Sequence, residues 1–373
     1  MNSIKKTWLP EMEGFRGLAS AWVFIGHICI LVQCNIPILG NPSYGVDLFV
    51  LLSGFLMTKN YIERRNIEPW NKLSTVNNFW VRRFFRIAPL YYVLLAIAIL
   101  LGPYIGSMRD IISEYYPNTA TGVDRFTDQS VKNIVIHASL LFGLSPEYSF
   151  RTTLPDWSIG LEVQYYLLFP FLMFIGKITN LKTTLLLMSI ISTLLYFIFP
   201  DFYKSFPMPS FILLKLPIFI AGMFIYIAIH SNRVISISLP FIVIIFATIT
   251  HLHIDKRQLI IQLAMCALII GLLKENKIPY AQNVLKNIKW LFNNKFCVWL
   301  GDVSYSVYLI HLLIVTPVIG ILIQSYHLSD LSAISRLLLV AAICAPIVYS
   351  ISYLCFKFIE KPGINLGKKF IKN

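Results

Sequence analysis

The chain has 373 residues, of which 57% are hydrophobic and only 13% are charged, and its formal net charge is +14. Soluble domains carry about a quarter charged residues, so this composition excludes an ordinary water-soluble domain. The basic residues lie in short loops between apolar runs, which is the pattern of a membrane protein and does not indicate a nucleic-acid partner. Because lipid requires every backbone polar group to be paired internally, we predict an all-α, polytopic membrane helical bundle.

In chain order, about ten apolar runs are long enough to span the membrane, and Val131–Leu144 is predicted to be a short interfacial or re-entrant helix. Ten spans place the lysine-rich loops and both termini in the cytoplasm, as the positive-inside rule requires. We expect one membrane domain over residues 1–373. The predicted spans are Phe15–Gln33, Val46–Tyr61, Ile87–Tyr104, Trp157–Ile175, Thr183–Phe199, Phe211–Ile229, Val234–Thr250, Leu259–Leu273, Val298–Ile323 and Leu331–Phe356.

The first predicted span carries two ionisable side chains, Arg16 and His27. Such groups are costly at membrane depth and are therefore candidate functional residues. A separation of 11 positions is about three helical turns, so both side chains project from nearly the same face, about 16 Å apart. The alternative is a snorkelling arginine and a hydrogen-bonded structural histidine.

The second and third spans add four candidates. Asp47 lies near the predicted outer end of the second span, and Ser53 precedes Gly54, where small residues favour close helix packing. Arg83 and Arg86 are three positions apart at a helix start, so they share a face. Two guanidinium groups on one face suit phosphate, although anchoring at the cytoplasmic surface is an equally open interpretation.

Two later spans carry polar groups inside apolar runs. Trp157 opens the fourth span, and Glu162 follows more than one turn inside it. A carboxylate at that depth needs a partner or a raised pKa, and a purely structural pair is the alternative interpretation. Ser304, Tyr308 and His311 lie on one helical stripe, and the favoured interpretation of this stripe is an interhelical hydrogen-bond network.

Taken in order, these residues resemble the motifs of one family, the acyltransferase 3 family of membrane acyltransferases. Each motif alone is weakly specific, but six in the correct order cover nearly the whole chain. Many members have a second acidic residue where this chain has Val163, which leaves Glu162 as the candidate carboxylate there. The matching stretches are Glu13–His27, Val46–Phe55, Arg83–Tyr91, Trp157–Tyr166, Ser304–His311 and Glu360–Pro362.

The resemblance implies transfer of an acyl group, usually acetyl, from cytoplasmic acyl-CoA to a hydroxyl of a cell-surface carbohydrate such as O-antigen, capsule or exopolysaccharide. It implies a multi-pass protein of the bacterial cytoplasmic (inner) membrane, surrounded by lipid, with a glycan or lipid-linked sugar as acceptor. Acyl-CoA is then a donor substrate, and we expect no permanently bound cofactor, no metal and no nucleic acid. The oligomeric state is left open. The alternative is a transporter or exporter of a glycan or anionic small molecule without acyl-transfer chemistry.

The resemblance also suggests a role for each candidate. His27 is expected to take the proton from the acceptor hydroxyl, directly or through an acyl-enzyme step, and Glu162 to orient His27 or the acceptor. Arg83 and Arg86 are expected to hold the donor's phosphates, with Arg16 guiding the donor at the mouth of the pore. Tyr308 or Ser304 is the candidate hydrogen-bond donor to the developing oxyanion. The expected substrate-binding residues are Asp47, Ser53, Trp157, Ser304, Tyr308 and His311.

Overall fold

The computed structural model describes residues 8–250 and 256–371, which form helices and no strands. Short 3-10 turns and one π turn, Phe356–Glu360, connect the α-helices of these residues. The α-helices are α1 (Pro10–Leu31), α2 (Pro42–Arg64), α3 (Leu73–Tyr115), α4 (Asp124–Thr127), α5 (Val131–Ala138), α6 (Trp157–Ile178), α7 (Leu181–Ile198), α8 (Pro200–Lys204), α9 (Ile212–Ile229), α10 (Val234–Thr250), α11 (Lys256–Leu273), α12 (Gln282–Asn293), α13 (Lys295–Asp302), α14 (Ser304–Tyr326), α15 (Ala333–Cys355) and α16 (Lys361–Lys369).

Eight helical stretches of the described residues are long and apolar enough to cross a membrane. They are α1, α3, α6, α7, α9, α11, α14 and the continuous stretch Ala333–Lys369. The other two predicted spans fall on α2, which has 23 residues, and on the shorter apolar helix α10. The predicted all-α polytopic membrane bundle is confirmed. The predicted cytoplasmic termini include residues 1–7 and 372–373, which lie outside the described residues, and their side of the membrane stays a prediction.

Two predicted boundaries differ from the structure. The predicted span Val298–Ile323 is divided at Val303, so that α13 and α14 are separate helices. The span Ile87–Tyr104 is the middle of α3, a helix of 43 residues. At 1.5 Å per residue α3 is about 65 Å long, which exceeds the thickness of a bilayer. The predicted short segment Val131–Leu144 forms α5, whose eight residues are too few to cross.

Close helix packing positions the first two helices. A Cβ added at Gly54 of α2 would collide with the Phe219 carbonyl oxygen of α9, and one at Gly222 would collide with the Leu51 carbonyl oxygen. Small residues allow helix backbones to approach in this way. The first helix, α1, packs against α2, α13 and α14. Arg16 and His27 are therefore held in the interior of the bundle.

Candidate active site

Five helices, α1, α2, α3, α6 and α14, surround a cavity of about 250 Å³. Four cationic and two acidic side chains line it, so the lining carries an excess of positive charge. Six of the residues predicted for the site belong to the lining. They are Arg16, Ser53, Arg83, Arg86, Glu162 and Tyr308.

The two predicted phosphate-binding arginines are brought to this cavity by α3. The Arg83 guanidinium carbon lies 5.5 Å from the Phe79 ring centroid and 5.1 Å from that of Tyr166. The Tyr166 hydroxyl donates a hydrogen bond to Glu162, which also lines the cavity. Within the described residues neither Arg83 nor Arg86 forms a salt bridge, and Arg83 has a side-chain hydrogen bond with Tyr166. A guanidinium has five N–H donors, so both arginines keep donors for a ligand.

The third cavity arginine is paired differently. Arg16 donates to the Glu13 carboxylate at 2.8 Å, one turn earlier on α1. Glu13 also lines the cavity. This ion pair fixes the guanidinium at the cavity wall and leaves part of its donor set for a ligand.

His27 lies outside the cavity lining and contacts a second histidine, His311 of α14. The His27 Nδ1 and His311 Nε2 atoms are 3.0 Å apart, and the ring centroids are 4.9 Å apart. His311 is fully buried, whereas His27 is partly exposed. The sequence left open whether Glu162 orients His27 or the acceptor. In the structure the side chain that contacts His27 is His311, and Glu162 accepts from Tyr166.

Hydrogen-bond partners determine where the protons of this histidine pair lie. The Val307 carbonyl accepts from His311 Nδ1 at 3.1 Å, so His311 Nε2 carries the lone pair in the neutral ring. The Val23 carbonyl lies 2.9 Å from His27 Nδ1 and can only accept. His27 Nδ1 must therefore hold a proton that Val23 and His311 share. The remaining atom, His27 Nε2, has a free lone pair and is suited to accept a proton.

Tyr308 stands between the cavity and the histidine pair. Its ring centroid lies 5.8 Å from that of Phe49, which lines the cavity, and 6.2 Å from that of His311. Its hydroxyl donates to the Pro155 carbonyl at 2.7 Å and accepts from Ser158 at 2.7 Å. Because the single hydroxyl proton is already used, Tyr308 has to break a hydrogen bond before it can donate to an oxyanion.

Comparison with known proteins identifies the family of the chain. The sequence profile of an acyltransferase domain matches residues 9–355. The chain belongs to the acyltransferase 3 family. It also resembles the peptidoglycan O-acetyltransferase OatA of Listeria monocytogenes, with 23% identity over 96% of this chain and 56% of that protein.

Two other relatives are similar over different lengths. A putative acetyltransferase of Acidianus two-tailed virus is 25% identical over 86% of this chain and 88% of its own. The O-acetyltransferase OatA of Staphylococcus aureus is 28% identical over 50% of this chain and 28% of its own. The chain thus spans about half the length of the Listeria relative. No solved structure gives a significant match.

Some motif residues of this acyltransferase 3 chain lie away from the cavity. Asp47 is fully buried and accepts hydrogen bonds from Lys215 at 2.6 Å and from Gln258 and Gln262 at 2.7 Å. It therefore ties α2 to α9 and α11. The remaining three predicted residues outside the lining have other surroundings: Trp157 is buried at the start of α6, Ser304 donates to the Gly301 carbonyl at 2.7 Å, and His311 contacts His27.

Sequence reasoning missed several residues of this acyltransferase 3 site. Lys215 was detectable as a lone lysine within the apolar run Ile212–Ile229, which indicates a buried ionic partner. Tyr166, which bridges Glu162 and Arg83, lay in a motif whose tyrosines had no assigned role. Two further arginines, Arg109 near the end of α3 and Arg125 of α4, were also missed, because the acidic residues around them dominate that segment of the sequence.

Proposed function

We propose that this multi-pass membrane protein transfers an acyl group, in the simplest case acetyl, from cytoplasmic acyl-CoA to a hydroxyl group of a cell-surface carbohydrate. The supporting observation is a positively charged cavity that leads toward an imidazole with a free nitrogen lone pair. The names of its relatives, which include peptidoglycan O-acetyltransferase, favour acetyl and a surface glycan. The membrane is the bacterial cytoplasmic (inner) membrane.

The donor enters the cavity with its phosphates at the arginine end. Arg83 and Arg86 have guanidinium donors free for phosphate, and Arg16 lies on the facing helix. Each guanidinium can form two parallel hydrogen bonds to a phosphate group, which a lysine cannot. The narrow pantetheine arm then extends along the apolar lining of α2 toward His27. The Phe49 and Tyr308 rings, whose centroids are 5.8 Å apart, have to separate to let it pass.

His27 then acts as the base. Its Nε2 takes the proton of the acceptor hydroxyl while the hydroxyl oxygen attacks the thioester carbonyl carbon. The carbon–sulfur bond breaks, and the leaving CoA thiolate takes the proton from the imidazolium. Throughout the reaction His311 Nε2 accepts a hydrogen bond from His27 Nδ1. This bond keeps the His27 ring in the tautomer whose Nε2 is unprotonated. His311 is thus a positioning residue for His27.

A transfer assay tests this function against transport without chemistry. The purified full chain in lipid nanodiscs receives acetyl-CoA and surface polysaccharide from its source cells that has been stripped of esters with mild base. We expect CoA thiol to appear only when polysaccharide is present, and the glycan to gain the mass of acetyl groups. A transporter would leave all of the acetyl-CoA intact and would carry acetyl-CoA or polysaccharide into sealed vesicles. That result contradicts this function.

A further inference from the structure

Two buried arginines occupy the opposite end of the bundle from the cavity arginines. Arg109, near the end of α3, is 9% exposed, and Arg125 in α4 is 8% exposed. Along α3, residues 83 and 109 are separated by about 39 Å at 1.5 Å per residue. The two buried arginines therefore cannot share the phosphates that Arg83 and Arg86 would hold.

The chain places α4 against α3 by means of two glycines. A Cβ added at Gly102 would collide with the Phe126 carbonyl oxygen, and one at Gly106 would lie 2.8 Å from Phe126 Cβ. This close approach is possible only because both α3 positions lack side chains. As a result, Arg125 lies close enough to Arg109 for the two charges to interact, although the two residues lie on different helices.

Both guanidiniums are anchored through one nitrogen only. Arg109 Nε donates to the Thr119 carbonyl at 2.7 Å, and Arg125 Nε donates to the Thr152 carbonyl at 3.1 Å. The Arg125 guanidinium carbon also lies 3.8 Å from the Phe150 ring centroid, which fixes its plane. In the described ranges 8–250 and 256–371, the terminal nitrogens of both arginines make no hydrogen bond.

The charge of the pair is also largely uncompensated. Among the described residues no carboxylate lies within salt-bridge distance of either arginine, and Asp156 acts on Arg125 only at longer range. Burial, with Arg109 as a second cause, lowers the pKa of Arg125 to about 9, so Arg125 still carries its charge at neutral pH. A buried cation without an anionic partner is costly, so two such cations whose charges interact indicate an anionic ligand.

His27 lies within electrostatic range of both Arg125 and Arg109. We propose that Arg109 and Arg125 bind an anionic group, a carboxylate or a phosphate, of the carbohydrate acceptor, and so position its hydroxyl at His27. Paired guanidiniums with free terminal nitrogens match either group in charge and geometry. This inference rests on the proposed function, because it names the chemical class of the acceptor.

The direct test measures binding of the acceptor without any donor. The full chain is placed in nanodiscs of phosphatidylcholine and titrated with a glucuronic-acid disaccharide, with the same disaccharide after its carboxyl is reduced to an alcohol, and with a sugar phosphate of similar size. We expect one or both acidic sugars to bind about 10- to 100-fold more tightly than the neutral one, as hydrogen bonds to charged groups imply. Which acid binds more tightly identifies the group.

Variants connect that preference to the two arginines. Arg109→Gln and Arg125→Gln should each abolish most of the preference, whereas Arg125→Lys, which keeps the charge and is the safer variant for folding, should retain part of it. Arg336→Gln is the matched control, because Arg336 stacks on Tyr116 at 4.9 Å and donates to the Ser329 carbonyl. Equal binding of acidic and neutral sugars by the wild type, or an unchanged preference in both glutamine variants, overturns the inference.

Two further outcomes identify other ligands or roles. If phosphatidylglycerol in the nanodiscs displaces the acidic sugar from the wild type and Arg125→Gln removes that competition, a lipid headgroup is the ligand and the inference fails. With acetyl-CoA present, the two glutamine variants should have a higher KM for the acidic acceptor and an unchanged KM for the neutral acceptor. An equal loss of kcat for both acceptors contradicts acceptor binding. Because the titration needs no donor, a chain that binds acidic sugars but transfers no acetyl refutes only the proposed function.

Discussion

Replacing His27 with alanine is expected to lower kcat for acetyl transfer by about 10²–10⁴-fold, which is the usual contribution of a positioned general base. The KM for acetyl-CoA should change little, because His27 lies outside the cavity that the donor's phosphates enter. The effect is chemical, since the substitution removes the one ring nitrogen with a free lone pair in the His27–His311 pair. Initial rates of CoA release by nanodisc-embedded protein at several acetyl-CoA concentrations measure both constants.

A matched histidine separates this role from a structural one. His230 makes the same kind of bond to the carbonyl four residues earlier, from its Nδ1 to Tyr226 at 2.9 Å, and lies at the end of α9. The His230→Ala variant should keep the wild-type kcat. If His27→Ala is folded and turns over at the wild-type rate, His27 is not the base, and the catalytic part of the account is wrong.

Replacing both Arg83 and Arg86 with glutamine is expected to raise the KM for acetyl-CoA by about 10²-fold or more, because each lost hydrogen bond to a charged group contributes about 1.5–3 kcal/mol. The kcat should be much less affected, since both side chains contact the donor's phosphates in the ground state and the transition state alike. Glutamine keeps a polar side chain that fits the cavity wall. Steady-state kinetics with acetyl-CoA as the varied substrate measure the change.

The neighbouring arginine and a shortened donor serve as controls. Arg82 pairs with Glu68 at 2.9 Å and does not line the cavity, so Arg82→Gln should leave the KM unchanged. Acetyl-pantetheine lacks phosphates, and its KM should be similar for the wild type and the double variant. A double variant that loses acetyl-CoA and acetyl-pantetheine equally would show that the arginines do not act on phosphate.

Most of the fold could be predicted because membrane spans depend on local composition. Apolar runs of sufficient length mark the helices, so the runs in α1, α6, α7 and α9 were found close to their final bounds. The helix break at Val303 was missed, because the apolar composition continues across it. The length of α3 was also missed, since the polar segment before Ile87 lacks the hydrophobicity that marks a span but is helical nevertheless.

The site could be predicted only as far as spacing within a helix determines it. Arg83 and Arg86 share a face because they lie three positions apart on one helix, and both line the cavity. The His27–His311 contact joins residues 284 positions apart, and the Asp47–Lys215 pair spans 168 positions. Such contacts depend on how helices pack against each other, which hydrophobic periodicity does not specify. For that reason the sequence did not reveal His311 as the neighbour of His27.

The proposed reaction requires one route that joins the cavity arginines to His27. An electron cryomicroscopy structure of the full chain with a thioether analogue of acetyl-CoA tests it most directly. We expect phosphate density at Arg83 and Arg86. The analogue's carbonyl carbon should lie close enough to His27 Nε2 for an acceptor oxygen to fit between them, about 3–3.5 Å from the carbon. An analogue whose acetyl end lies among other helices, with Tyr308 still closing the path to His27, would contradict it.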